Sequence, residues 1–128
     1  NEIEQQMAGI ATVCRNPKYD RILKSEEMSC SYVVDRKEAM TFVYDTLSTL
    51  RYKLCLTKRN ATGLHNGIMA ARLEYLDAFD HCGLGTFLML TAVKRTLMFF
   101  EEKYYSPDAY EECLSTDSST EEGEVTEM

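Results

Sequence analysis

The run of residues 84–100 limits the fold of this chain more than any other stretch. From Leu84 to Phe100 the only charged residues are Lys94 and Arg95. A membrane span needs about 20 apolar residues, and two adjacent bases within lipid are costly, so the sequence argues against a transmembrane segment. The first half of the run is apolar on every side at helical spacing, which is typical of a helix inside a packed domain. We therefore predict a central apolar helix over about 84–103.

Further segments repeat apolar residues three or four positions apart, the spacing of one helix face. The cleanest covers residues 33–57, where Asp35 is a candidate N-cap and Glu38 follows three residues later, as in a capping box. The other predicted helices cover 2–14, 18–28, 67–81 and 109–114, with a loop at 57–67. Together they predict an all-α, single-domain bundle of five or six helices around the helix at about 84–103.

The charge of the chain is concentrated at its C-terminal end. The net charge is −7 over 128 residues, but residues 1–114 carry only −2, because residues 115–128 contain five acids and no base. We predict a helical bundle domain over 1–114 and an acidic, disordered tail over 115–128. Ser118 and Ser119 each precede a glutamate by three residues, a spacing that suits acid-directed kinases, so both are candidate phosphorylation sites. A chain this acidic is unsuited to nucleic acid as its main partner.

The five cysteines are widely spaced, and no Cys-X-X-Cys pair occurs. This spacing argues against a zinc site of the usual type, and an odd count fits a reducing compartment better than a closed set of disulfides. The sequence thus favours a cytoplasmic or nuclear location with mostly buried thiols. Secretion stays open, since Asn60-Ala61-Thr62 is a glycosylation acceptor sequence if the chain enters the secretory pathway.

Residues 77–82 hold the one local cluster of residue types that catalyse reactions or bind metals. Asp77 and His81 lie four positions apart, Cys82 follows, and His65 or Cys55 would have to complete a metal site. The alternative is a helix end, in which His81 interacts with the helix dipole and the following glycine forms the C-cap. No phosphate-binding loop, nucleophile elbow or zinc-protease motif occurs. We therefore predict that the chain is not an enzyme, with no catalytic residues, no cofactor and no metal.

Aromatic and methionine residues indicate a protein partner. The chain has eight Tyr, five Phe and seven Met but no Trp, and such residues suit surfaces that bind proteins. The predicted partner-binding residues are Tyr44, Tyr75, Phe79, Phe99, Tyr104 and Tyr105. A homodimer through a coiled-coil seam on residues 33–57 is a further possibility.

The apolar hairpin predicted over residues 67–103, enclosed by amphipathic helices, resembles the layout of Bcl-2-like and other small helical bundles. Residues 69–80, MAARLEYLDAFD, have the apolar spacing of the helices that bind to such bundles, but they lack the expected Gly-Asp pair. The resemblance implies a groove between helices that holds a partner helix or peptide.

The leading hypothesis is therefore a non-enzymatic regulatory module with such a groove. One alternative is a secreted helical ligand of cytokine type, which needs two disulfides and a glycan on Asn60. The other is a small enzyme or metal site at Asp77, His81 and Cys82.

Overall fold

The computed structural model describes residues 9–14, 16–19, 21–63 and 67–116. Within these residues the chain forms a three-stranded antiparallel sheet followed by three α-helices. The predicted all-α bundle of five or six helices is therefore wrong. The predicted helix over 2–14 lies mostly outside the described residues, and its end forms a single 3₁₀ turn at Ile10–Thr12.

The sheet occupies a region in which the sequence analysis predicted helices. Its strands are β1 (Leu23–Ser25), β2 (Cys30–Asp35) and β3 (Met40–Tyr44), in the order β1-β2-β3. β-Branched and aromatic residues dominate β2 and β3, and such residues pack well on a pleated surface. Val33 is fully buried whereas Val34 is exposed, which is the alternation of a strand with one covered face.

Asp35 caps the turn between β2 and β3 instead of a helix. Its Oδ1 accepts hydrogen bonds from the backbone N–H groups of Lys37 at 2.9 Å and of Glu38 at 3.3 Å. The Lys18 ammonium lies 3.6 Å from the same carboxylate and 3.4 Å from that of Glu38. The predicted capping chemistry is thus present, but it closes a hairpin, because a side-chain acceptor can satisfy the N–H groups of a turn as well as those of a helix.

The first helix, α1 (Leu47–Asn60), begins at a well-formed cap. The Thr46 side chain accepts from the backbone N–H of Thr49, and the Thr49 hydroxyl accepts from the backbone N–H of Thr46. Asp45 accepts from the Thr49 hydroxyl at 2.9 Å and from the Lys53 ammonium at 2.6 Å. These contacts satisfy N–H groups that have no partner inside the helix, and they explain why the helix starts here and not near residue 35.

The second helix, α2 (Leu88–Glu102), confirms a helix within the predicted range 84–103, but it is not the central one. Among its residues only Thr96 is buried, whereas α1 packs against both α2 and the third helix. The helix that the apolar run forms is therefore one wall of the domain. None of the helices in the described residues is long and apolar enough to cross a membrane.

The third helix, α3 (Ala109–Ser115), begins close to the predicted start. Pro107 precedes it, and Ala109 and Cys113 form its buried face. The sequence analysis placed this helix at 109–114, so the prediction is confirmed to within one residue. The predicted acidic tail lies outside the described residues from position 117 onwards.

The segment between α1 and α2 is not the helix predicted over 67–81. The one helical element among its described residues is a 3₁₀ turn at Leu73–Tyr75, preceded by Arg72 in the left-handed conformation at φ 59°. Asp80 and Phe87 also have positive φ, near 55°, a conformation that an α-helix cannot accommodate. The apolar residues at helical spacing in this segment are instead largely exposed, Met69 at 88% and Leu73 at 46%.

Two disulfides connect distant parts of the chain. Cys14 is bonded to Cys82 and Cys55 to Cys113, with Cα–Cα distances of 5.2 and 6.0 Å, while Cys30 is a buried free thiol. The prediction of mostly reduced thiols is therefore wrong for four of the five cysteines. Sequence separations of 68 and 58 residues correspond to about 4 kcal/mol of stabilisation each in the chain-entropy account.

The fully buried core of the described residues is small and rich in sulfur. The largest wholly buried side chains are those of Val33, Cys55 and Cys113, followed by that of Ser31. Val33 is the one aliphatic side chain in this wholly buried set, although aliphatic residues are among those most often fully buried in proteins. The Cys55–Cys113 disulfide consequently supplies a large share of what holds α3 on α1.

Candidate functional site

A groove of about 1170 Å³ lies between the C-terminal halves of α1 and α2. Its apolar wall is formed by Leu54 of α1, by Leu97 and Phe100 of α2, and by Ile68 from the connecting segment. Thr57 and Ser106 are exposed at its edge, so the groove opens to solvent. Its lining residues come from α1, from α2, which packs against α1, and from the segments that follow the two helices.

An aromatic cluster closes the end of the groove. The Tyr104 ring packs edge-to-face against Phe99 and Phe100, with ring centroids 6.2 and 5.6 Å away. The Lys58 ammonium lies 5.9 Å from the centroids of both Phe100 and Tyr104. These geometries match favourable aromatic and cation–π contacts, so the cluster is an aromatic surface with the positive charge of Lys58 beside it.

The phenol of Tyr104 stays protonated over the physiological pH range. Burial raises its pKa above the usual value, and the positive charge of Arg59 opposes that shift only in part. A neutral phenol at the groove wall can donate one hydrogen bond and accept another. Tyr105, the next residue, is 81% exposed, and its hydroxyl donates to the backbone carbonyl of Glu101 at 2.6 Å.

A second cavity, of about 470 Å³, lies between β3 and the segment that precedes α2. Phe42 and Tyr44 of β3 form one side, and Leu76 and Leu88 face them. The Cys14–Cys82 disulfide also lies on its surface. The lining is mainly apolar, and a volume of this size falls within the range of small-ligand pockets.

The predicted catalytic or metal cluster forms a structural turn. The two carboxylate oxygens of Asp77 accept from the backbone N–H groups of His81 at 2.8 Å and Cys82 at 2.7 Å. The Cys82 sulfur is bonded to Cys14, so it offers neither a nucleophilic thiolate nor a metal ligand in this state. Across the part of the chain that the structure describes, no three His, Cys, Asp or Glu residues are grouped to hold a metal ion.

The six aromatic residues predicted to bind a partner do not form one surface. Tyr104 and Tyr105 line the groove, with Phe99 packed behind Tyr104. Tyr44 and Tyr75 line the second cavity. Phe79 is 84% exposed and lies beside His81, with the ring centroids 6.1 Å apart.

Of the three predicted modification sites, the structure describes one, Asn60. Asn60 is exposed as the last residue of α1, and Thr62 of the same acceptor sequence is exposed in the following turn. Ser118 and Ser119 lie outside the described residues, as does His65, the histidine considered as an additional metal ligand.

Four residues important to the groove were missed by the sequence analysis: Leu54, Lys58, Ile68 and Leu97. Leu54 was assigned to a helix face that would pack in a core or a dimer seam. Lys58 falls within the predicted loop over 57–67, although an aromatic residue one helix away is the signal for a cation–π contact. That signal appears only after the pairing of α1 with α2 is known.

Comparison with protein-family models found no matching family, and comparisons with curated proteins and with solved structures found no match either. The function of the chain must therefore be argued from its own geometry.

Proposed function

We propose that the chain is a non-enzymatic, disulfide-stabilised protein-interaction module that works in an oxidising compartment. It would hold a helix or extended peptide of a protein partner in the groove between α1 and α2. The observation that carries this proposal is the groove itself, with its apolar wall and its aromatic end.

The size and shape of the groove favour a peptide over a small molecule. Its volume of about 1170 Å³ lies above the usual range for small-ligand pockets, about 300–1,000 Å³. Exposed residues at its edge, including Thr57, Thr62 and Tyr105, leave it open to a chain that enters and leaves. Tyrosine side chains such as Tyr104 and Tyr105 offer large contact areas with few rotatable bonds, which suits the centre of a protein interface.

The charges of the groove indicate the partner's chemistry. Lys58 lies at the aromatic end and Glu101 also lines the groove. A partner segment with apolar side chains and an acid that reaches Lys58 would complement this surface. Because Lys58 already lies against two rings, such an acid would meet a charge that is partly shielded from water.

The covalent frame supports an oxidising compartment. Four of the five cysteines are joined in two disulfides, a pattern common outside the cytosol and rare within it. Asn60 is exposed at the end of α1, where an attached glycan would meet solvent. These features also meet two needs of a secreted ligand, although the all-helical bundle of that alternative is not formed.

A peptide-display selection against the oxidised chain tests the proposal. Selected peptides should share apolar residues and an acid, and Leu97→Lys should weaken their binding at least about tenfold, because it places a charge on the apolar wall. Met98→Lys, one position along α2 at a residue 45% exposed and outside the groove, should bind like the parent.

Circular dichroism would check that both variants fold. If Leu97→Lys does not fold, Thr57→Arg at the exposed edge of the groove provides the same test. Equal binding by the groove variant and by Met98→Lys would contradict the proposal.

A further inference from the structure

The second cavity, of about 470 Å³, is lined by apolar side chains that the fold leaves half-buried. Phe42 and Tyr44 alternate along β3, so both face the cavity, and their ring centroids lie 5.7 Å apart. Leu76 lines it from the segment before α2, and Leu88 and Met89 line it from the start of α2. Packed protein interiors leave few voids larger than a water molecule. A concave apolar space of this volume therefore has room for a small ligand.

The wall that faces β3 is held in place without a ligand. The Cys14–Cys82 disulfide, which lies on the cavity surface, joins the N-terminal 3₁₀ turn to the segment before α2. The start of this turn also packs closely on that segment, because a Cβ added at Gly9 would lie 2.9 Å from the backbone oxygen of Tyr75. A cavity whose wall is fixed in this way loses little conformational entropy when it binds a ligand.

The charged groups that line the second cavity are already engaged. Among the described lining residues these are two carboxylates, Asp45 and Asp77, and no lysine or arginine accompanies them. Asp45 accepts from the Lys53 ammonium at 2.6 Å. The two oxygens of Asp77 accept from the backbone N–H groups of His81 and Cys82. An ionised ligand would therefore lose its hydration without gaining an oppositely charged partner, which is costly.

We propose that the second cavity binds a small, uncharged molecule with an apolar ring system. Apolar cavities take up such molecules because the ligand supplies contacts that the lining side chains otherwise lack. The rings of Phe42 and Tyr44 offer faces against which a ring of the ligand can stack. This site is independent of the groove between α1 and α2, since the two share none of their described lining residues.

Two dyes whose emission rises in apolar surroundings test the proposal. N-phenylnaphthylamine is uncharged and should bind to the oxidised protein with one molecule per chain. Anilinonaphthalene sulfonate has the same rings and an added sulfonate, so it should bind at least about tenfold more weakly. A chain that does not raise the emission of the neutral dye, or that binds both dyes equally well, would overturn the proposal.

Variants at the start of α2 locate the bound dye. Met89→Glu places a carboxylate on the cavity wall and should weaken binding of the neutral dye at least about tenfold. Thr91→Glu adds the same charge to α2 at an exposed position outside the cavity and should bind like the parent. An acid near a helix N-terminus is favourable, so both variants should fold. Equal binding by the two variants would overturn the proposal.

A second pair of variants serves if circular dichroism shows that Met89→Glu does not fold. Ala71→Trp fills the cavity from an exposed lining position and should weaken binding of the neutral dye, whereas Ala70→Trp, exposed and outside the cavity, should not. The groove variants Leu97→Lys and Thr57→Arg should keep the parent's affinity for the neutral dye. Loss of dye binding in these groove variants would overturn the proposal, because the dye would then occupy the groove between α1 and α2.

Discussion

Cys55 of α1 and Cys113 of α3 are joined by a disulfide whose two residues are both fully buried, although 58 residues separate them in the sequence. The bond fixes α3 against the side of α1 that carries the buried residues, while α2 packs against α1 as well. Arg59 of α1 reinforces the same contact, with its guanidinium 4.7 Å from the Tyr110 ring centroid. The groove thus has a covalently anchored wall.

Removal of this cross-link should destabilise the domain strongly. Cys55→Ala/Cys113→Ala should lower the free energy of unfolding by about 4 kcal/mol, because the unfolded chain regains the freedom of a 58-residue loop. Denaturant unfolding without reductant measures the loss. Cys30→Ala removes a buried sulfur without a cross-link and should cost only about 1 kcal/mol. Equal losses in the two variants would contradict a structural disulfide at this position.

The N-cap of α1 makes a separate and smaller contribution to stability. Thr46→Ala should lower the free energy of unfolding by about 1 kcal/mol, because the backbone N–H of Thr49 loses its acceptor. Thr57→Ala, at an exposed position within the helix, is the matched control and should change stability by less than about 0.5 kcal/mol. A loss at residue 57 as large as that at residue 46 would show that the cap does not stabilise the helix.

Acid should destabilise the hairpin through Asp35. Hydrogen bonds from the backbone N–H groups of Glu38 and Lys37, together with the charge of Lys18, hold the pKa of this carboxyl below its usual value. Because the pKa of Asp35 is lower in the folded state, its ionised carboxylate stabilises the fold at pH values above the ordinary pKa of an aspartate, near 3.8. This stability is lost as the pH falls through the folded-state pKa.

Urea midpoints between about pH 2 and pH 7 measure this dependence. Asp35→Asn keeps the Oδ1 acceptor but has no titrating group, so its midpoint should fall less steeply with acid than that of the parent. If the urea midpoints of Asp35→Asn and the parent fell equally steeply with pH, Asp35 would not contribute to the acid sensitivity.

Glycosylation of Asn60 is expected if the chain passes through a secretory pathway. Secretory expression should give a product whose mass falls on treatment with a glycosidase, since the acceptor sequence is exposed. Thr62→Ser keeps the acceptor sequence and should keep the glycan, whereas Thr62→Ala should abolish it. A glycan that survives Thr62→Ala would exclude Asn60 as the attachment site.

The spacing of apolar residues predicted α2 and α3, but the same spacing could not reveal the sheet. Met40, Val43, Leu47, Leu50 and Leu54 keep helical spacing across a boundary at which the chain changes from β3 to α1. Periodicity alone cannot locate such a change. The β-branched and aromatic residues of β2 and β3 did carry the signal, and Thr46 was the missed helix start.

A groove between helices could be predicted from the sequence, but the helices that form it could not. Tyr104 and Tyr105 were among the predicted partner-binding residues, yet the groove depends on which helices pack together. The Cys55–Cys113 bond fixes α3 on α1, cysteine spacing does not determine that connectivity, and helical periodicity does not show that α2 packs on α1 as well. The segment over 67–87 misled for a related reason, because its apolar residues at helical spacing are exposed in the folded chain.

The two disulfides are central to the proposed module, and the intact mass of the protein from its natural source tests whether they are formed. Alkylation in denaturant before reduction should add one alkyl group, at Cys30, and alkylation after reduction should add five. Digestion without reduction should then release peptides that link Cys14 to Cys82 and Cys55 to Cys113. Five alkyl groups before reduction would contradict the account, because the thiols would all be free and the frame of the groove would be absent.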